Sequence, residues 1–413
     1  MEFEEQDRRV VEAIRLPLWG SVVSDDGAVP WLVVDDVGHS VEPVAVFLRD
    51  LAARGRSAGT ARSYALGLLR WWRFLIAIGV AWDKATSAEV RDLVLWLSWA
   101  VKPVAARRTV SRATAGLVNP VTRKFHLGDG YGPATIRHSN AVLRTFYEFW
   151  LERGGGPLVN PVPVERSRGS RANAHHNPMA PFRAEGRIRY NPRLPKRRPR
   201  CMPDDLWDGL FAAMSCNRDR AVVEFAVSTG ARAAELLGMR GADVDWGEQL
   251  IRVIRKGTRA EQWLPASPDA FVWLRLYFSD IGGIVEANEP VWRTVNLCDA
   301  VHAPLTYDAL RAVFRRVNAK LGTSWTMHDL RHTCAIRMLR DGRLTLRDVQ
   351  TLLGHASLPN TQIYLEQLDE DVFARVRDYF AGRGATSVVP LAQVASGYDA
   401  ADLAVLLWPA QRP

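Results

Sequence analysis

Apolar residues recur at helical intervals in the first third of the chain, at Tyr64, Leu68, Trp71 and Leu75 and again at Leu143, Phe146, Tyr147 and Trp150. Spacings of three and four place one apolar stripe on each of two helices. The helical pattern runs from about Val41 to Arg153 and predicts several helices packed on one another. Ahead of it, residues 1–40 mix short β-prone pieces, such as Trp31–Val34, with turn residues. Beyond Pro203 a second pattern begins, with helices expected over about 204–214, 218–229, 268–279, 306–321, 328–340, 344–353 and 368–381 and β-prone segments at 250–255 and 261–265. The chain is therefore expected to be mainly α with a small β-sheet, in two domains.

Between the two patterns, residues 155–203 are rich in Pro, Gly and Arg, and prolines such as Pro192, Pro195 and Pro199 block both a helix and a central strand. The expected organisation is an acidic N-terminal segment (1–40), a helical domain (41–156), a basic linker (157–203), a second domain (204–383) and a tail (384–413). The tail ends in an apolar run, Ala401–Trp408, that suits a fold-back helix or a handle for a neighbouring subunit.

Charge sharpens the partner. The formal net charge is +9, and residues 165–200 alone, with ten Arg and Lys196 against two Glu, carry the same +9. A basic strap of this kind is suited to tracking the phosphates of a duplex. Residues 1–40, with nine acids against three bases, would not favour DNA. Within the helical domain, Arg62, Arg70 and Arg73 share one helix with its apolar stripe, and Arg137, His138 and Arg144 share another. Candidate DNA contacts are Arg62, Arg70, Arg137, Arg144, Lys196, Arg197, Arg198 and Arg200, with ordinary solvated faces as the alternative. The loop 102–131 adds further basic residues. Four dispersed cysteines without a CxxC pair indicate neither a disulfide framework nor a zinc knuckle, which suits a reducing cytoplasm. No apolar run approaches the roughly 18–20 residues that span a bilayer, so no membrane partner is expected.

Candidate chemistry lies in four separate pieces of the second domain: Ser228–Gly238 around Arg232, Arg255–Arg259 around Lys256, Met327–His332 with His328 and Arg331, and Leu353–Ala356 with His355, followed by Tyr364 nine positions later. Together and in this order they resemble the tyrosine recombinase (phage integrase) family, which includes the Xer recombinases and lambda integrase. The family pattern is Arg, a Lys in a β-turn, His-x-x-Arg, a His or Trp, and a Tyr, and this sequence fills every slot. Where family members often carry a second Lys, this chain has Arg259. The helical segment before the linker also resembles the family's SAM-like core-binding domain. The resemblance thus implies a helical DNA-binding domain and an α+β catalytic domain that close as a clamp on duplex DNA.

In-line attack on a phosphodiester requires charge neutralisation at the non-bridging oxygens, and two planar guanidinium groups grip them with directed hydrogen bonds. The resemblance gives that role to Arg232 and Arg331. Tyr364 would be the nucleophile; a phenol, with an ordinary pKa near 10, needs a base or a positive field at neutral pH. His328 is the candidate to help take its proton, Lys256 the general acid for the leaving 5′ oxygen, and His355 a donor to the phosphate. Glu235, three residues after Arg232, is placed to hold that guanidinium. A covalent 3′-phosphotyrosine retains the bond energy for religation, so neither ATP nor metal is implied, and no GxxxxGK[ST] loop occurs. The family assembly is a tetramer on two DNA sites.

Other readings remain open on the residues alone. His328 and His332, at i and i+4, resemble the HExxH zinc helix, although Asp329 stands for Glu and reads more naturally as a capping partner of Thr326. Leu344–Tyr364 suits a helix-turn-helix in a protein that binds DNA without cutting it. Nicking and closing without strand exchange, as in a type IB topoisomerase, would use the same covalent step. Integration or excision of a mobile element is the expected setting.

Overall fold

The computed structural model describes residues 9–103, 114–165, 187–195, 199–295, 303–354, 364, 376, 377 and 380. His355, the strap residues Lys196, Arg197 and Arg198, most of the expected helix 368–381 and the tail 384–413 lie outside them. The chain divides into two compact units at Lys196/Arg197, inside the expected linker.

Among the described residues the first unit has four α-helices: α1 (Glu42–Ala53), α2 (Ala58–Ile78), α3 (Ser87–Trp99) and α4 (Pro133–Glu152). Local sequence sets their ends. Ser57 caps α2, Gly79 closes it in the left-handed region at φ 68°, and Thr86 with Glu89 forms a capping box on α3. The predicted stripes turn inward, and Leu68, Trp71, Leu75, Leu143, Phe146 and Tyr147 are all buried. Trp71 donates to the Tyr147 hydroxyl at 2.8 Å and that hydroxyl donates to the Trp82 carbonyl at 2.9 Å, so the polar ends of these rings are satisfied inside the core.

The segment set apart by its acidity is part of this core. Strands β1 (Ser21–Ser24) and β2 (Trp31–Val34) form an antiparallel hairpin whose Val33 is fully buried, while Asp25, Asp26 and Asp36 stay exposed. Arg73 donates to the Trp19 and Gly20 carbonyls, and Arg9 pairs with the buried Glu89 at 2.9 Å. Charge counting separated what packing joins, because Asp25, Asp26, Asp35 and Asp36 lie in the connections after the strands while Val33 is buried.

The expected linker is likewise folded at both described ends. Strands β3 (Val164–Glu165) and β4 (Arg187–Ile188) pair antiparallel, Val162 is buried, and Asn140 of α4 donates to the Tyr190 carbonyl and to Asn191 Oδ1.

The second unit contains α5 (Asp204–Ala212), α6 (Asn217–Thr229), α7 (Ala233–Leu237), α8 (Pro268–Asp280), α9 (Tyr307–Leu321), α10 (Met327–Asp341) and α11 (Leu346–Leu353). A three-stranded antiparallel sheet runs in the order β5 (Val244–Asp245), β6 (Leu250–Ile254), β7 (Glu261–Pro265). Ile251 and Val253 of β6 and Leu264 of β7 face the core, the alternation a half-buried sheet requires. Helix α6 lies at the centre, against α8 and α10. Among the described residues no helix is long and apolar enough to cross a membrane.

Candidate active site

Helix α6 ends at Gly230 in the left-handed region, at φ 64°. A Cβ there would stand 2.7 Å from Leu353 and 3.2 Å from the Cys334 sulfur, so glycine serves both the turn and the close approach. Two residues on, Arg232 is the N-cap of α7 and Glu235 its third residue, and the Glu235 carboxylate returns to the Arg232 N–H at 2.9 Å. The other carboxylate oxygen accepts from Arg232 Nη1 at 2.8 Å.

Glu235 does more than orient Arg232. It also accepts from Arg255 Nη1 at 3.0 Å and from the Lys256 backbone N–H at 3.1 Å. Burial raises a carboxyl pKa, yet these hydrogen bonds and the Arg255 charge outweigh it, and Glu235 is held below the ordinary carboxylate value. The turn after β6 is closed by the Arg255 N–H to the Ala260 carbonyl at 2.8 Å, with Arg259 at φ 60°. Lys256, at its tip, is exposed. A recess of about 470 Å³ beside the turn is lined by Arg255, Thr258 and Arg347, among others.

Helix α10 starts with the Thr326–Asp329 capping box, in which Asp329 accepts from the Thr326 N–H at 2.9 Å and from its hydroxyl at 2.7 Å. Asp329 therefore serves the helix end. Among the described residues no group of three His, Cys, Asp or Glu side chains is arranged to hold a metal ion.

Arg331 is 2% exposed, and its Nη1 and Nη2 donate to the Gly230 and Leu353 carbonyls at 2.6 and 2.7 Å. Burial, together with the nearby Arg232 charge, lowers its pKa to about 10, so it stays cationic at neutral pH.

Tyr364 is 1% exposed and packs with Ala335, Ile336, Val349 and Leu353. Burial raises its pKa, and Arg331 and Arg232 pull against that rise. The imidazole at its hydroxyl is that of His332, Nδ1 to Oη 3.1 Å, and not of His328, the residue expected to take the proton. His328 is exposed one turn earlier, with its ring centroid 4.3 Å from that of His332. The structure thus gathers Arg232, Glu235, Lys256, Arg331 and Tyr364 in one region, and adds Arg255 and His332. His332 had a signal in the i, i+4 histidine spacing; Arg255 had none beyond its place next to Lys256.

Three of the expected DNA contacts in the helical domain, Arg62, Arg70 and Arg144, have internal partners. Arg144 donates to the Val162 carbonyl at 3.0 Å and pairs with Glu148 at 2.6 Å, so it anchors the start of the linker. Arg62 lies over the Trp31 ring at 5.1 Å. Arg70 donates to Ser139 at 3.1 Å and covers Tyr131. Helical periodicity cannot tell such a half-buried arginine, its stem on an aromatic ring, from one facing solvent. Arg137 and Arg200 are half-buried.

The arrangement is a helical unit followed by an α+β unit in which Glu235 ties Arg232 to the backbone of a hairpin lysine, with Arg331 and the buried Tyr364 nearby. The family described as phage integrase matches residues 208–371, and the phage integrase N-terminal SAM-like domain matches residues 44–119. Tyrosine recombinase XerC of Salmonella typhi is 31% identical over 256 residues, covering 60% of this chain and 74% of that protein. Tyrosine recombinase XerD of Lacticaseibacillus casei is 25% identical over 291 residues, 69% of this chain and 88% of that protein. XerD of Xanthomonas axonopodis pv. citri is 30% identical over 185 residues, and there the match spans 60% of the relative's length. Among solved structures, a variant of the Tn1549 transposon integrase in complex with transposon right-end DNA shares the fold, with a TM-score of 0.50 at 14% identity over 78% of this chain and 94% of that one. The chain belongs to the tyrosine recombinase family of site-specific DNA recombinases.

Proposed function

We propose that this protein cuts and rejoins double-stranded DNA at a specific site through a covalent 3′-phosphotyrosine at Tyr364, as a tetramer on two sites, in the integration or excision of a mobile element. The observation that carries the reading is the position of the Tyr364 hydroxyl, beside the His332 imidazole and under the charges of Arg331 and Arg232. A phenol so placed has a proton acceptor and two cations that offset part of the rise that burial imposes on its pKa. The basic linker, longer than a chromosome-dimer resolvase would need, favours the mobile element.

The chemistry follows from the residues. Tyr364 Oη attacks the scissile phosphorus as its proton passes to an imidazole; the P–O5′ bond breaks, and the Lys256 ammonium protonates the departing oxygen. Arg232 and Arg331 neutralise the non-bridging oxygens. Religation reverses the sequence with a 5′-hydroxyl from the partner strand. The Arg331 nitrogens that hold the Gly230 and Leu353 carbonyls would have to share or exchange those bonds with phosphate, and the buried Tyr364 would have to emerge.

That burial also favours a second reading, a DNA-binding protein of the same fold that does not cut. Covalent trapping separates the two. The protein is incubated without metal with a nicked suicide substrate from DNA flanking its gene, and an SDS-resistant adduct is sought. An adduct that vanishes in Tyr364→Phe supports cleavage; demonstrated binding without an adduct supports the second reading.

A further inference from the structure

Arg255 is 4% exposed, and its three guanidinium nitrogens reach three different elements. Nε donates to Gln262 Oε1 on β7 at 2.8 Å, Nη1 to Glu235 Oε2 on α7 at 3.0 Å, and Nη2 to the Leu352 carbonyl near the end of α11. Gln262 in turn donates to the Thr351 carbonyl at 2.9 Å, and Arg331 takes the Leu353 carbonyl. Three successive carbonyls at the end of α11, where helix carbonyls run short of backbone N–H donors, thereby accept from side chains in or beside the candidate site. The fit is close: a Cβ on Gly354 would stand 2.7 Å from Arg255 Nε.

The next residue is Lys256. Its side chain is exposed, as are those of residues 257–260, so the guanidinium of Arg255 and the Lys256 N–H to Glu235 are what tie this turn inward. Glu235 holds Arg232, Arg255 and the Lys256 backbone at once, and the helix end that Arg255 caps leads along the chain to His355 and Tyr364.

We infer that Arg255 is a positioning residue for the Lys256 ammonium, fixing the turn that carries it against Glu235 and the end of α11. The inference rests on the cleavage reading above. A buried ion pair of this kind has a plainer use in stability, so the test must read the protonation step itself. A substrate whose scissile 5′ oxygen is replaced by sulfur supplies that readout, because a thiolate leaves without needing a proton from Lys256.

The experiment measures single-turnover adduct formation by the full chain on matched oxygen and 5′-sulfur substrates, for wild type, Lys256→Ala, Arg255→Gln and Gln262→Ala. The last keeps the Arg255–Glu235 pair and removes the β7 contact together with the bond from Gln262 to the Thr351 carbonyl, which guards against a variant that fails to fold. The expected result is that Arg255→Gln slows cleavage of the oxygen substrate by about tenfold to a hundredfold, the range for a slightly displaced catalytic group. On the sulfur substrate both it and Lys256→Ala should recover to within about threefold of wild type, with Gln262→Ala showing a weaker form of the same pattern. Equal losses on both substrates in both tether variants, or no loss on either, overturn the inference while the cleavage reading stands. A wild type that forms no adduct on either substrate overturns the cleavage reading, and this inference with it.

Discussion

The Tyr364 hydroxyl lies 3.1 Å from Nδ1 of His332, the second histidine of the pair on α10, while His328 faces outward one turn earlier. On the cleavage reading, this contact makes His332 the candidate to take the proton from the phenol. In single-turnover trapping, His332→Gln should slow adduct formation by about a hundredfold, the lower end of what a positioned base contributes, and His328→Gln by less. An equal or larger loss in the His328 variant would return the role to His328.

Replacing Tyr364 by Phe keeps the ring in its cluster with Val349 and Leu353 and removes only the hydroxyl. The adduct should disappear while stability, from urea unfolding, changes by no more than about 1 kcal/mol, the net worth of one hydrogen bond. A large loss of stability would mean that the hydroxyl organises the fold, and the missing adduct would then say little about the nucleophile.

Much of the second unit was legible beforehand. The helices expected at 218–229, 268–279 and 306–321 fall within a residue or two of α6, α8 and α9, because strong apolar periodicity and caps such as Ser267 and Thr306 fix them locally. The five-residue α7 and the two-residue β5 are too short to show a period. The Arg255 tether was invisible for another reason: its partners Glu235 and Leu352 lie 20 and 97 residues away, and no pattern rule turns a charged residue inward. For the same reason the bond from Arg144 to the Val162 carbonyl could not be read from its place on a helical face.

Arg331 tests whether charge alone is enough. Its two terminal nitrogens serve the Gly230 and Leu353 carbonyls from a buried position, a fork that a lysine ammonium cannot reproduce. Arg331→Lys should therefore lose about 2 kcal/mol of stability, the typical cost of one buried group left unsatisfied, in addition to any loss of cleavage. Unchanged urea stability would show that the carbonyls find other donors and that the residue is reserved for phosphate.

Glu235 links these observations to pH. Its folded pKa lies below the ordinary 4.5, so its stabilising contribution is complete above that value and is lost as pH falls through the folded one. Other carboxyls, such as Asp348 and Glu89, are also lowered, so acid unfolding of the wild type alone would not identify Glu235. The comparison with Glu235→Gln does. Gln resembles the protonated acid and leaves Arg255 buried beside a neutral group, so the variant should be less stable than wild type at pH 7, by about 3 kcal/mol for one broken buried pair. That gap should narrow progressively below about pH 4.5, because the wild-type carboxylate is then being neutralised as well. A gap that stays constant from pH 7 to pH 3 would mean that shape, and not charge, makes Glu235 the junction of Arg232, Arg255 and the Lys256 turn.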